Sequence, residues 1–137
     1  MSLFNDFLDS DDTLRIYGSD ETLLFRSDKD RLFPLLDYID GFRYNLQPVS
    51  IFDKIMGNAA ALLSVVADAK EVYSPLGSQI AVETLDKYGI KYQLSDVVPY
   101  IQKPGQEDMC PMEQLSLQKE PEEFYRVLRG QAGPPSA

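Results

Sequence analysis

Apolar positions recur along this chain in two rhythms. Leu3, Phe4, Phe7 and Leu8 share one face of a short helix over residues 2–8, with a polar break after it. Leu14-Arg15-Ile16-Tyr17 and Leu23-Leu24-Phe25 read as strands joined by Gly18-Ser19-Asp20-Glu21, a hairpin composition. Leu32, Phe33, Leu36 and Ile39 repeat at helical spacing across residues 30–40, with Pro34 in the first turn and Gly41 as the stop. Val49-Ser50-Ile51-Phe52 predicts a third strand. After it, residues 53–67 predict a helix that is apolar on every side through Ala59, Leu62, Leu63 and Val66. A helix of that kind belongs at the centre of a domain.

The second half alternates more regularly. Residues 70–74 predict a strand that ends at Pro75-Leu76-Gly77. Ser78 then caps a helix over residues 79–88, which turns Ala81, Val82, Leu85 and Tyr88 inward and stops at Gly89. Residues 90–94 predict another strand, which residues 97–101 extend or follow. Strand, helix and strand at this spacing imply a parallel pair. A loop over 103–107 leads to short helices over 111–117 and 121–128. An antiparallel hairpin joined to parallel strands, with helices on both faces, predicts an α/β three-layer sandwich with a mixed sheet. One domain is expected over residues 1–129, with 130–137 as a flexible tail.

Composition narrows the chemistry. The chain has 137 residues and is 44% hydrophobic, enough for one core. Its 22 acidic and 13 basic residues give a net charge of −9. That balance argues against nucleic acid or an anionic membrane as partner. No histidine is present, which removes His-activated nucleophiles and His-containing zinc sites. A single cysteine removes intrachain disulfides and Cys-cluster metals, so no cofactor is expected. The acidic opening lacks a basic-then-apolar leader, and the lone thiol suits a reducing cytoplasm.

Three segments carry candidate chemistry. Asp53-Lys54-Ile55-Met56-Gly57-Asn58 links a strand end to the central helix, where ligands of α/β sheets gather. Lys54 there suits an anion, and Gly57 permits close backbone approach. The bland reading makes Asp53 a cap and Gly57 a packing residue. Ser74-Pro75-Leu76-Gly77-Ser78 is read as a strand-to-helix loop with exposed amides and two hydroxyls. It lacks the spacing of any phosphate-binding fingerprint. In Met109-Cys110-Pro111-Met112-Glu113-Gln114, Cys110 falls at an N-cap, Pro111 at the first helical position and Glu113 at the third. That is a capping-box pattern with sulfur in place of a hydroxyl. A helix start is also where a thiol becomes nucleophilic, so a reactive Cys110 stands beside the structural reading.

The segments Gly57-Asn58-Ala59-Ala60-Ala61-Leu62-Leu63, Lys70-Glu71-Val72-Tyr73-Ser74-Pro75, Val98-Pro99-Tyr100-Ile101 and Cys110-Pro111-Met112-Glu113-Gln114 together resemble a small family of uncharacterised bacterial proteins with a cytidine-deaminase-like fold. The resemblance spans roughly residues 13–117. It implies that the start of the central helix lies beside residues 74–78, the two places where deaminases carry their zinc ligands and catalytic Glu. None of the residues here replaces a His/Cys/Cys site, so zinc-dependent deamination is excluded. The expectation is a domain that binds a nucleotide-like or other small anionic ligand. The pocket would draw on Asp53, Lys54, Gly57, Asn58, Ser74, Gly77, Ser78, Cys110 and Glu113. An enzyme or redox protein built on Cys110, and a protein-interaction module, are the alternatives. A homodimer is expected.

Overall fold

The structure, a computed structural model, describes residues 2–42 and 47–130. The 131–137 part of the expected tail lies outside them.

Among the described residues, five strands form one mixed sheet: β1 (Leu14–Tyr17), β2 (Leu23–Ser27), β3 (Val49–Asp53), β4 (Ala69–Ser78) and β5 (Lys91–Val98), in the spatial order β2-β1-β3-β4-β5. β1 pairs antiparallel with β2 and β3, whereas β3, β4 and β5 run parallel. Among the same residues, six helices connect and cover the strands: α1 (Leu3–Leu8), α2 (Phe33–Phe42), α3 (Asn58–Val66), α4 (Gln79–Lys87), α5 (Pro111–Ser116) and α6 (Pro121–Leu128).

Strand alternation divides the sheet into two unlike faces. Leu14, Ile16, Val49, Ile51 and Val72 point to one side. They meet Leu35, Tyr38 and Ile39 of α2, Ala81 and Leu85 of α4, and Phe124 of α6, with α3 buried among them. On α3 only Val65 is partly open, as an all-apolar helix requires. Tyr17, Phe52 and Tyr73 point to the other side and meet Phe4 and Phe7 of α1. The sandwich is therefore lopsided: its outer layer is one six-residue helix. A buried carboxylate ties the hairpin together, with Asp12 accepting from Arg15 Nε at 2.6 Å and lying 3.1 Å from Arg26 Nε. Burial pulls that carboxyl up, but the two guanidiniums outweigh it and hold it below the usual range.

Four expected boundaries move. α2 begins at Phe33 and runs through Gly41 to Phe42. α3 begins at Asn58, five residues after the expected start at Asp53, because Asp53 still pairs with Leu14 as the last residue of β3. β4 does not end at Ser74. It continues to Ser78, and the ladder pairs Ser74 with Leu94 and Leu76 with Asp96 on either side of Pro75, which has no N–H to give. β5 is one strand that ends at Val98.

Candidate functional site

The start of α3 is held by a buried polar network. Gly57 is its N-cap and brings no side chain to the exposed N–H groups. Glu113 fills that role from α5. Its Oε1 accepts from the Asn58 backbone N–H at 2.6 Å, and its Oε2 accepts from the Ile101 N–H at 2.7 Å. The carboxylate is 2% exposed, so the positive end of α3 is met inside the protein by the chain's own negative charge. A Cβ on Gly57 would come within 3.0 Å of Glu113 Oε1 and 2.9 Å of Ile101 Cγ1. Glycine is required here for space, since φ −80° and ψ 178° suit any residue.

Asn58 extends the network. Its Nδ2 donates to Ser116 Oγ at 3.0 Å, and its Oδ1 accepts from the Thr84 hydroxyl. Ser116 in turn donates to the Glu113 carbonyl at 2.6 Å. α3, α4 and α5 are thus pinned by one buried polar cluster whose members are all satisfied. The capping box expected within α5 does not form. Cys110 is the N-cap but makes no side-chain cap bond, because Glu113 is turned toward α3. Cys110 is half-buried.

The structure brings together only part of the predicted site. Gly57, Asn58 and Glu113 touch, and Cys110 opens the same short helix. Gly77 bridges to Met56, and the Ser78 N–H donates to the Met56 carbonyl at 3.2 Å, which sets the end of β4 beside the start of α3. Ser78 caps α4, accepting from Ala81 N–H at 3.0 Å. Ser74 spends its hydroxyl on Leu76 and is fully buried. Lys54 leaves the group altogether. Its ammonium donates to the Ser10 carbonyl at 3.0 Å and lies 4.8 Å from the Phe7 ring centroid, on the α1 face.

Asp53 stands at the end of β3, accepting from the Ile55 N–H at 3.3 Å. Burial pushes its carboxyl up to about 7. Folding therefore favours the protonated form. This contribution is intact below the ordinary carboxylate range near pH 4, is lost progressively as pH rises toward 7, and is flat above that. Asp53→Asn should remove the slope and raise stability at pH 8 by on the order of 2 kcal/mol. Urea midpoints at pH 5 and pH 8 measure it; a parent protein equally stable at both would rule it out.

A cavity of about 410 Å³ lies elsewhere, beneath α1 on the opposite face of the sheet. Phe4, Tyr17, Phe52 and Tyr73 line it together with Ser50 and other polar residues. Ring centroids stand 4.7 Å apart for Phe52 and Tyr73, and 5.1 Å for Tyr17 and Phe52. Glu71 lies among them, and Ser19, Glu21 and Lys70 sit toward solvent. Sequence reasoning placed none of these residues in a site. The available signal was the repeat of polar and aromatic residues in Ser50-x-Phe52 and Glu71-x-Tyr73, out of phase with Ile51 and Val72.

A five-stranded mixed sheet with a buried, internally capped central helix defines the class: a one-sided α/β domain carrying a separate aromatic groove. A family profile described as "TM1506: Domain of unknown function (DUF1893)" matches residues 4–131, and the chain belongs to that family. It is similar to the crystal structure of a DUF1893 family protein (TM1506) from Thermotoga maritima, with a TM-score of 0.82 and 25% identity over 93% of this chain and 85% of that one. No curated protein matches. Among the described residues, no helix is long and apolar enough to cross a membrane.

Proposed function

We propose that this chain is a small-molecule-binding domain of cytidine-deaminase-like architecture that performs no zinc-dependent deamination and takes its ligand in the groove beneath α1. The deaminase-like reading draws support from the contact between the end of β4 and the start of α3 through Met56, Gly77 and Ser78. The residues at that junction do not fit a zinc ion. They offer Gly57, Asn58 and Ser78, and the chain has one cysteine and no histidine. The observation that carries the proposal is the double contrast at the two faces. At α3, Glu113 already occupies the position an anionic ligand would take. Beneath α1, about 410 Å³ is open, and polar groups of Ser19, Ser50, Lys70 and Glu71 line it together with the edges of Phe4, Tyr17, Phe52 and Tyr73.

Amide chemical-shift mapping of the full chain, titrated with a panel of nucleosides, nucleotides, amines and neutral aromatics, tests it. Ligand-dependent shifts should gather at Tyr17, Ser50, Phe52, Glu71 and Tyr73. Shifts gathered instead at Gly57, Asn58 and Ser78 would move the site to the α3 junction, and silence from every compound would remove the proposal.

A further inference from the structure

We propose that the groove selects an organic cation: one protonated amine or guanidinium carried on a compact apolar body. The inference rests on the reading of the groove as the ligand site and adds the charge of what enters it.

Glu71 is the pivot. Its Oε2 accepts from Ser50 Oγ at 2.6 Å and its Oε1 accepts from Tyr73 OH at 3.2 Å. Both donors are neutral, so the carboxylate is oriented without being neutralised. A carboxylate has about four lone-pair positions, and two of these are taken, leaving acceptor capacity for a ligand N–H. Two of the lining hydroxyls, those of Ser50 and Tyr73, are already committed to Glu71.

The surroundings favour the same sign. Faces of Tyr and Phe attract cations placed within about 6 Å of the ring centroid. Phe4, Phe52 and Tyr73 form a continuous group here, with Phe4 and Tyr73 at 5.7 Å and Phe4 and Phe52 at 6.0 Å. Glu21 adds a second carboxylate at the exposed rim. The Tyr73 hydroxyl reports the local field. Burial pushes its pKa up first, and the charges of Glu71 and Glu21 push it further. Lys70 is the one basic side chain among the described lining residues, and it is exposed. It offsets one of the two carboxylates, which suits a ligand with a single positive charge better than a polyamine. The net charge of −9 draws cations toward the surface at longer range.

The test uses calorimetry and amide shift mapping on the full chain with three probes of similar shape: phenethylamine, 2-phenylethanol and phenyl phosphate. Phenethylamine should bind in the groove at least tenfold more tightly than the other two. Glu71→Gln should weaken the amine at least tenfold and leave phenylethanol unchanged. Tyr73→Phe keeps the ring and frees one oxygen of Glu71, so it should hold the amine as well as or better than the parent; a loss there overturns the role given to Glu71. Equal binding of the alcohol or preference for the phosphate overturns the cation inference while the groove stays a ligand site. Absence of shifts in the groove with all three overturns both.

Discussion

Replacing Glu113 with alanine should lower the unfolding free energy by about 3–5 kcal/mol, because it orphans the buried Asn58 N–H and the half-buried Ile101 N–H and leaves a void. The Asn58 amide finds no substitute in water where it sits, since Glu113 is 2% exposed and Asn58 4%. Glu113→Gln keeps one carbonyl oxygen and should cost roughly half as much. The measurement is urea denaturation, with amide exchange at Asn58 and Ile101 as the local readout. An alanine variant within about 1 kcal/mol of the parent would show that the carboxylate does not hold α3. Loss of the cap should also loosen α4, since Asn58 shares its side chain between Ser116 and Thr84.

The second large effect belongs to the thin layer. Phe52 is 4% exposed and contacts the rings of Phe4, Phe7, Tyr17 and Tyr73. Phe52→Ala should cost about 3–5 kcal/mol, by removing both buried area and the ring on which α1 rests. The expected signature is uneven. Amides of α1 should lose protection and the chain should become susceptible to protease near Ser10, while protection across α3 persists. Uniform loss across both faces would mean that α1 is not an independent layer. Ligand binding in the groove should disappear with α1, because Phe4 supplies one of its walls.

Much of the fold is written locally. The hairpin, the Ser78 cap, the Gly89 stop with φ 72° and the bounds of α6 all follow from short-range pattern. Two of the misjudged boundaries, the start of α3 and the end of β4, share one cause: the deciding partner is distant in sequence. Asp53-Lys54 has the composition of a helix start, but pairing with Leu14 keeps Asp53 in the sheet. Pro75 has the composition of a strand end, but β5 lets the ladder step over it. Gly57 carries no cap of its own, and the residue that supplies one is Glu113, 55 positions beyond Asn58. Glu113 was legible as a candidate, but as a partner of Cys110 in its own helix. The groove was hidden for the same reason, because its walls come from α1, β1, β3 and β4 and meet only across the sheet.

That long-range cap has a consequence for how the chain reaches its native state. The first turn of α3 is normally the costly step in forming a helix, and here the group that completes it is brought in by α5. Closing a loop of that length must precede the reward, which favours slow, late consolidation of the core over early local helix formation. On the ribosome, residues 58–66 emerge well before Glu113, so the central helix waits with its positive end bare until the segment around Cys110 follows. The stretch containing the chain's one cysteine thus acts as a latch in time as well as in space: its arrival completes the start of α3, before α6 adds Phe124 to the core.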